Sequence, residues 1–199
     1  MKLRRLALVT GAALLALCSC SSSPWSRPVT DPTRPVALEG LGVLPPQGPD
    51  WFVAAEGDRS VVFARRHADG VTSTLASAST GAAEARFASP EVFLQHVERV
   101  LAEGRDGDRA IGATCEARLT RRHGGYCVEY VETFLDRASP AAPGRTLRTE
   151  NRGCWFLHPD DPGRSVALLY SMRRPSSEPP ATGAAAERFF SGVRLTRPR

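Results

Sequence analysis

Ser165-Val166-Ala167-Leu168-Leu169-Tyr170-Ser171-Met172-Arg173 is the stretch on which the fold turns. Val166, Leu168, Tyr170 and Met172 alternate with Ala167, Leu169 and Ser171. That period of two belongs to a strand with two unlike faces. Residues 149–158 carry a second strand pattern, and Pro159-Asp160-Asp161-Pro162-Gly163 supplies a turn between the two. Together they read as an antiparallel pair.

The same pattern continues towards the N-terminus. Residues 126–135 place Tyr126, Val128, Tyr130 and Phe134 on one face, interrupted by Glu132. Arg121-Arg122-His123-Gly124-Gly125 joins them to a strand over 111–119. Residues 51–55, 60–67 and 71–79 predict three more strands, and Asp69-Gly70 turns the last two into a hairpin. The period changes at Ser89-Pro90-Glu91: a cap, a proline at the first helical position and an acid in the first turn. Val92, Phe93, Val97, Val100 and Leu101 follow at helical spacing and Gly104 ends the run. A second helix is expected over 182–190, then a short strand over 193–195. Asp136 to Arg145 and Pro175 to Pro180 read as loop insertions. Short turns between successive strands favour antiparallel pairing. The expectation is α+β: an antiparallel sheet backed by two helices on one face, in a single domain over 51–199.

The N-terminus sets the compartment. Met1-Lys2-Leu3-Arg4-Arg5 precedes an apolar run from Leu6 to Leu17, then Cys18-Ser19-Cys20 and three serines. The run is shorter than the ~20 residues a spanning helix needs. A cationic start, a short apolar core and small residues at the cut form the secretory pattern. The segment resembles a bacterial lipoprotein signal peptide over 1–19. In that resemblance Cys20 takes the lipid, a palmitate-type acyl anchor, because Ser19 precedes it and Leu17 stands three places back. Cys18 follows bulky Leu17 and fits poorly. Ser21, in place of aspartate, implies the outer membrane facing the periplasm. Residues 20–50 are Ser- and Pro-rich and read as a tether. Within it, residues 36–38 and 41–44 are apolar enough to pack on the domain.

Signal removal changes the charge balance. The chain of 199 residues has 26 basic and 21 acidic residues. Without Lys2, Arg4 and Arg5, 23 basic residues face 21 acidic, a net of +2. That is no nucleic-acid footprint, which calls for clustered excess cations. The pairs Arg65-Arg66, Arg121-Arg122 and Arg173-Arg174 read as a solvated rim at strand ends.

Three cysteines remain in the body: Cys115, Cys127 and Cys154. An oxidising compartment makes a disulfide the default. Cys115 with Cys127 across a hairpin, or Cys127 with Cys154 across two strands, both suit the strand order. Cys154 and His158 share a strand face but lie about 13 Å apart along it, too far for one metal ion. His96 reads as a packed histidine at the helix boundary, and His67 and His123 as solvated. His158 with Asp160 and Asp161 is the one constellation resembling acid–base chemistry. No nucleophile elbow, phosphate loop or zinc-protease motif is present, and no cofactor is implied.

Gly124-Gly125-Tyr126-Cys127-Val128-Glu129-Tyr130, Gly153-Cys154-Trp155-Phe156-Leu157-His158-Pro159 and Val166 to Arg173 together resemble a group of uncharacterised proteobacterial lipoproteins. The likeness covers about a third of the mature chain. It implies a Cys127–Cys154 disulfide, sets Cys115 apart, and transfers no activity. The element order is also similar to PsbP/Mog1-type α/β sandwiches, most of them accessory or binding proteins. The resulting expectation is a lipid-anchored envelope protein that serves as a binding or accessory module, its partner a protein of the envelope. The alternatives are an envelope hydrolase using His158 with Asp160 and Asp161, or a carrier of a small apolar ligand in a pocket of Phe93, Val97, Tyr170 and Phe189.

Overall fold

The computed structural model describes residues 27–105, 109–137, 139, 142–175, 177 and 182–197. The signal segment, with Cys18, Cys20 and Ser21, lies outside them, as do parts of both loop insertions. In chain order the elements are β1 (Arg27–Pro28), β2 (Val36–Leu38), β3 (Leu41–Val43), β4 (Trp51–Gly57), β5 (Ser60–Arg66) and β6 (Ser73–Ala82). Then come α1 (Pro90–Glu103), β7 (Ala110–Arg122), β8 (Gly125–Asp136), β9 (Leu147–His158), β10 (Asp161–Pro175), α2 (Gly183–Ser191) and β11 (Val193–Leu195). No helix among the described residues is long and apolar enough to cross a membrane.

Eight strands form one sheet in the order β1-β4-β5-β6-β10-β9-β8-β7, antiparallel throughout. A second sheet, β11-β3-β2, has three short strands. The β10 alternation holds from Val166 to Tyr170 and lapses beyond it, where Ser171 is buried and Met172 half-buried. Val166, Leu168 and Tyr170 point into the main core, 0%, 1% and 5% exposed. They face Phe63, Ala76 and Ala78 of β5 and β6, and Phe156 of β9, in the same cluster.

The α+β expectation is wrong. Strand accounts for 54% of the described residues and helix for 14%, so the protein is β-rich rather than a sheet backed by helices. Two features account for the difference. Leu41, Val43 and Val193 of the small sheet are buried in the main core beside Phe189 and Phe190 of α2. Strands thus fill most of the layer that helices were expected to supply. The helices also cover opposite faces. Phe93 and Val97 of α1 pack on Val128 of β8, backed by Trp155 and Leu119. Val128 and Cys127 are neighbours on β8, so their side chains leave the sheet on opposite sides. Cys127 belongs to the core under α2.

The start of α1 is local chemistry. Ser89 has extended backbone and its hydroxyl accepts from the Val92 N–H, with Pro90 following. The β7–β8 hairpin turns through His123 and Gly124, with φ of 53° and 80°. Two consecutive left-handed residues make the tight turn that matches strand twist.

Candidate functional site

The structure brings a polar groove together where α2 meets β7, β8 and β9. It encloses about 310 Å³. Glu116 and Arg118 of β7, Glu129 of β8, Arg152 of β9, and Glu187 and Phe190 of α2 contribute to its lining. Strand alternation explains the set. Arg118 lies opposite Glu129, and Glu116 opposite Val131, which in turn faces Arg152. These residues leave the sheet on the α2 side.

Arg122 ties two of the groove's carboxylates together. It donates to Glu129 at 3.0 Å and to Glu187 at 2.6 Å, and its guanidinium lies 5.8 Å from the Phe190 ring centre. Arg118 donates to the other Glu129 oxygen at 3.2 Å. Burial pushes the Glu129 carboxyl up, but the two guanidiniums outweigh it and hold the group below the usual carboxylate range. Arg152 donates to Glu150 at 2.9 Å and to the Thr182 hydroxyl at 3.0 Å, just before α2. Thr182 also bonds Glu150. The groove therefore carries both signs of charge around a floor that includes Val131 and Gly153, with the buried Phe190 ring behind one wall. Such a surface suits a partner carrying both signs better than a polyanion.

His158, Asp160 and Asp161 are adjacent in the β9–β10 hairpin but do not converge. His158 is fully buried. Its Nδ1 accepts from the Asp160 backbone N–H at 3.2 Å, while its Nε2 is buried without a hydrogen-bond partner. The ring edge lies beneath Gly40 in the β2–β3 turn. Asp160 is exposed, and the Asp161 carboxylate accepts from the Gly163 N–H and from Arg164. Arg164 continues to Glu39 at 2.7 Å, and Arg59 reaches the same carboxylate at 2.8 Å. This network joins the small sheet to the large one. Among the described residues, no hydroxyl or thiol lies within hydrogen-bond distance of the His158 ring.

The residues proposed for an apolar pocket are also separated. Phe93 and Val97 lie in the α1 cluster, and Tyr170 and Phe189 in the main core. A cleft of about 70 Å³ lies beside Tyr170 and Phe189.

Other side chains differ from their sequence reading. Arg173 and Arg174 are 3% and 4% exposed rather than at a solvated rim. Arg173 pairs with Asp136 at 3.1 Å, and Arg174 lies 4.0 Å from Glu150. His123 stacks on Phe156, with centroids 4.9 Å apart, and is half-buried. Burial, then Arg122, lowers its pKa. His96 fits the packed reading: it contacts Glu84 and Arg99 and lies against Phe87 and Trp155.

Cys127 and Cys154 form a disulfide between β8 and β9, with Cα atoms 6.3 Å apart. That span lies within the range a disulfide bridges. Cys115 is a free thiol on β7. Burial raises its pKa, as does Glu132 opposite it. Among the described residues, no group of three or more His, Cys, Asp or Glu is placed to hold a metal ion. The groove was invisible to sequence reading because its lining comes from four elements; alternating Glu116 and Arg118 was the one local sign of it. Compared with known proteins, the chain matches no family model and no curated sequence.

Proposed function

We propose that this is a lipid-anchored cell-envelope protein that acts as a binding or accessory module, held through Cys20 and receiving an envelope protein partner in the groove. The observation that carries the reading is the groove itself, open and lined by both charge signs beside Phe190. Grooves lined by both charge signs suit protein segments, whose charges can be complemented pair by pair. The Ser19-Cys20-Ser21 context supports outer-membrane anchoring facing the periplasm, and the disulfide fits an oxidising compartment.

The test is a photo-crosslinking residue placed at Arg118 of the full chain in the native envelope, followed by recovery of the adduct. A discrete adduct with a protein other than this chain, lost when Arg152→Glu reverses one wall, is the expected result. Recovery of no specific adduct from the envelope would count against the module. Radiolabelled palmitate incorporation that survives Cys20→Ala would count against the anchor.

A further inference from the structure

We infer that β7 is a self-complementary edge through which two copies of this chain pair, making one continuous antiparallel sheet of both molecules. β7 is the last strand of the eight-stranded order, and its outer edge is unpaired among the described residues. It runs for 13 residues without proline. An open edge of that length is a template for another strand, and proteins usually blunt such edges. Here the bulge between Ile111 and Thr114 disturbs only the beginning, leaving 114–122 regular.

The charges on this edge select the occupant. In an antiparallel pairing of identical strands about a two-fold axis, one residue must face its own copy. With Ala117 at that centre, Glu116 faces the second copy's Arg118 and Arg118 faces its Glu116. On the same face Thr114 meets Thr120 of the copy. On the other face Cys115 meets Leu119. Opposite charges and Thr–Thr pairs directly across strands stabilise a sheet, and like charges destabilise it. Moving the centre by one residue sets Glu116 against Glu116, or Arg118 against Arg118. Glu116 is exposed, and the Arg118 side chain is 77% exposed, so both can reach across. Because such an axis is perpendicular to the sheet, both α2 helices stay on one face and both α1 helices on the other. The two grooves then share one floor. This pairing stands whatever fills the groove.

The test is sedimentation of the full chain in mild detergent, at matched concentrations. The wild type is expected to be a dimer. Glu116→Arg opposes arginines at two positions and is expected to weaken association about tenfold or more. Glu116→Arg/Arg118→Glu restores opposite charges and the dimer. A wild-type monomer at the highest attainable concentration overturns the inference, as does a dimer indifferent to Glu116→Arg. Should Glu116→Arg lose its fold by circular dichroism, crosslinking in the native envelope decides. Cys115→Ser/Ala117→Cys places two thiols directly opposite, within disulfide span. Cys115→Ser/Thr114→Cys places them about 20 Å apart. A disulfide dimer for the first and none for the second is expected; no dimer in either, or equal dimer in both, overturns the pairing.

Discussion

Gly153 is the residue that the sheet tolerates least in any other form. A Cβ built there would overlap the ring of Tyr130, its cross-strand neighbour. The ring occupies the space above the glycine, and burial raises the phenol's pKa. Gly153→Ala should therefore cost about 1–3 kcal/mol, read from denaturant midpoints. In a Tyr130→Ala background the same change should cost less, because the overlapping group is gone. Glu39 gives a test by pH. Hydrogen bonds from Arg164 and then Arg59 bring its pKa from 4.5 down to about 2. A carboxylate depressed in the folded state stabilises fully above its unfolded pKa and loses that contribution as pH falls towards the folded one. The stability gap between wild type and Glu39→Gln should be constant above about pH 5 and close as pH falls from 4.5 to 2. A gap unchanged at pH 3 would show that the Arg59–Glu39–Arg164 bridge contributes nothing to stability.

Among the elements, α1 was the most legible in sequence because its signals are local. Ser89, Pro90 and Gly104 mark its ends, and the structure places α1 over Pro90–Glu103. Ser89→Ala should cost about 0.5–1 kcal/mol, seen as a lowered melting temperature, since the cap bond is long at 3.4 Å. The strands β4 to β10 were legible for a related reason: alternation is local even when pairing is not. What stayed hidden was non-local. β2 and β3 have three residues each, too few to show a period, and sit in Pro-rich sequence. Which face a helix covers depends on the paths of its connections, so α1 and α2 could not be assigned to opposite faces. Arg173 and Arg174 resemble surface charge until Asp136 and Glu150 arrive from other strands. The groove needed β7, β8, β9 and α2 at once, and in the His158 hairpin closeness in sequence did not bring the three side chains together.

For the whole molecule, the disulfide is the covalent tie that matters most. It joins neighbouring strands at residues 27 apart and lies in the main core. By the loop-entropy account, losing it should cost about 3–4 kcal/mol, measured as the midpoint difference between oxidised and reduced protein. Its position also determines what a protease would leave behind. Residues 143–146, between the two cysteines, are exposed, and Arg145 among them offers a tryptic bond. Exposed connections are where nicking concentrates. Cleavage there would divide the chain between β8 and β9, yet the fragments would remain one covalent species through Cys127 and Cys154. On a gel the nick would show only after reduction, and a cut molecule would keep its strands, and its groove, in place.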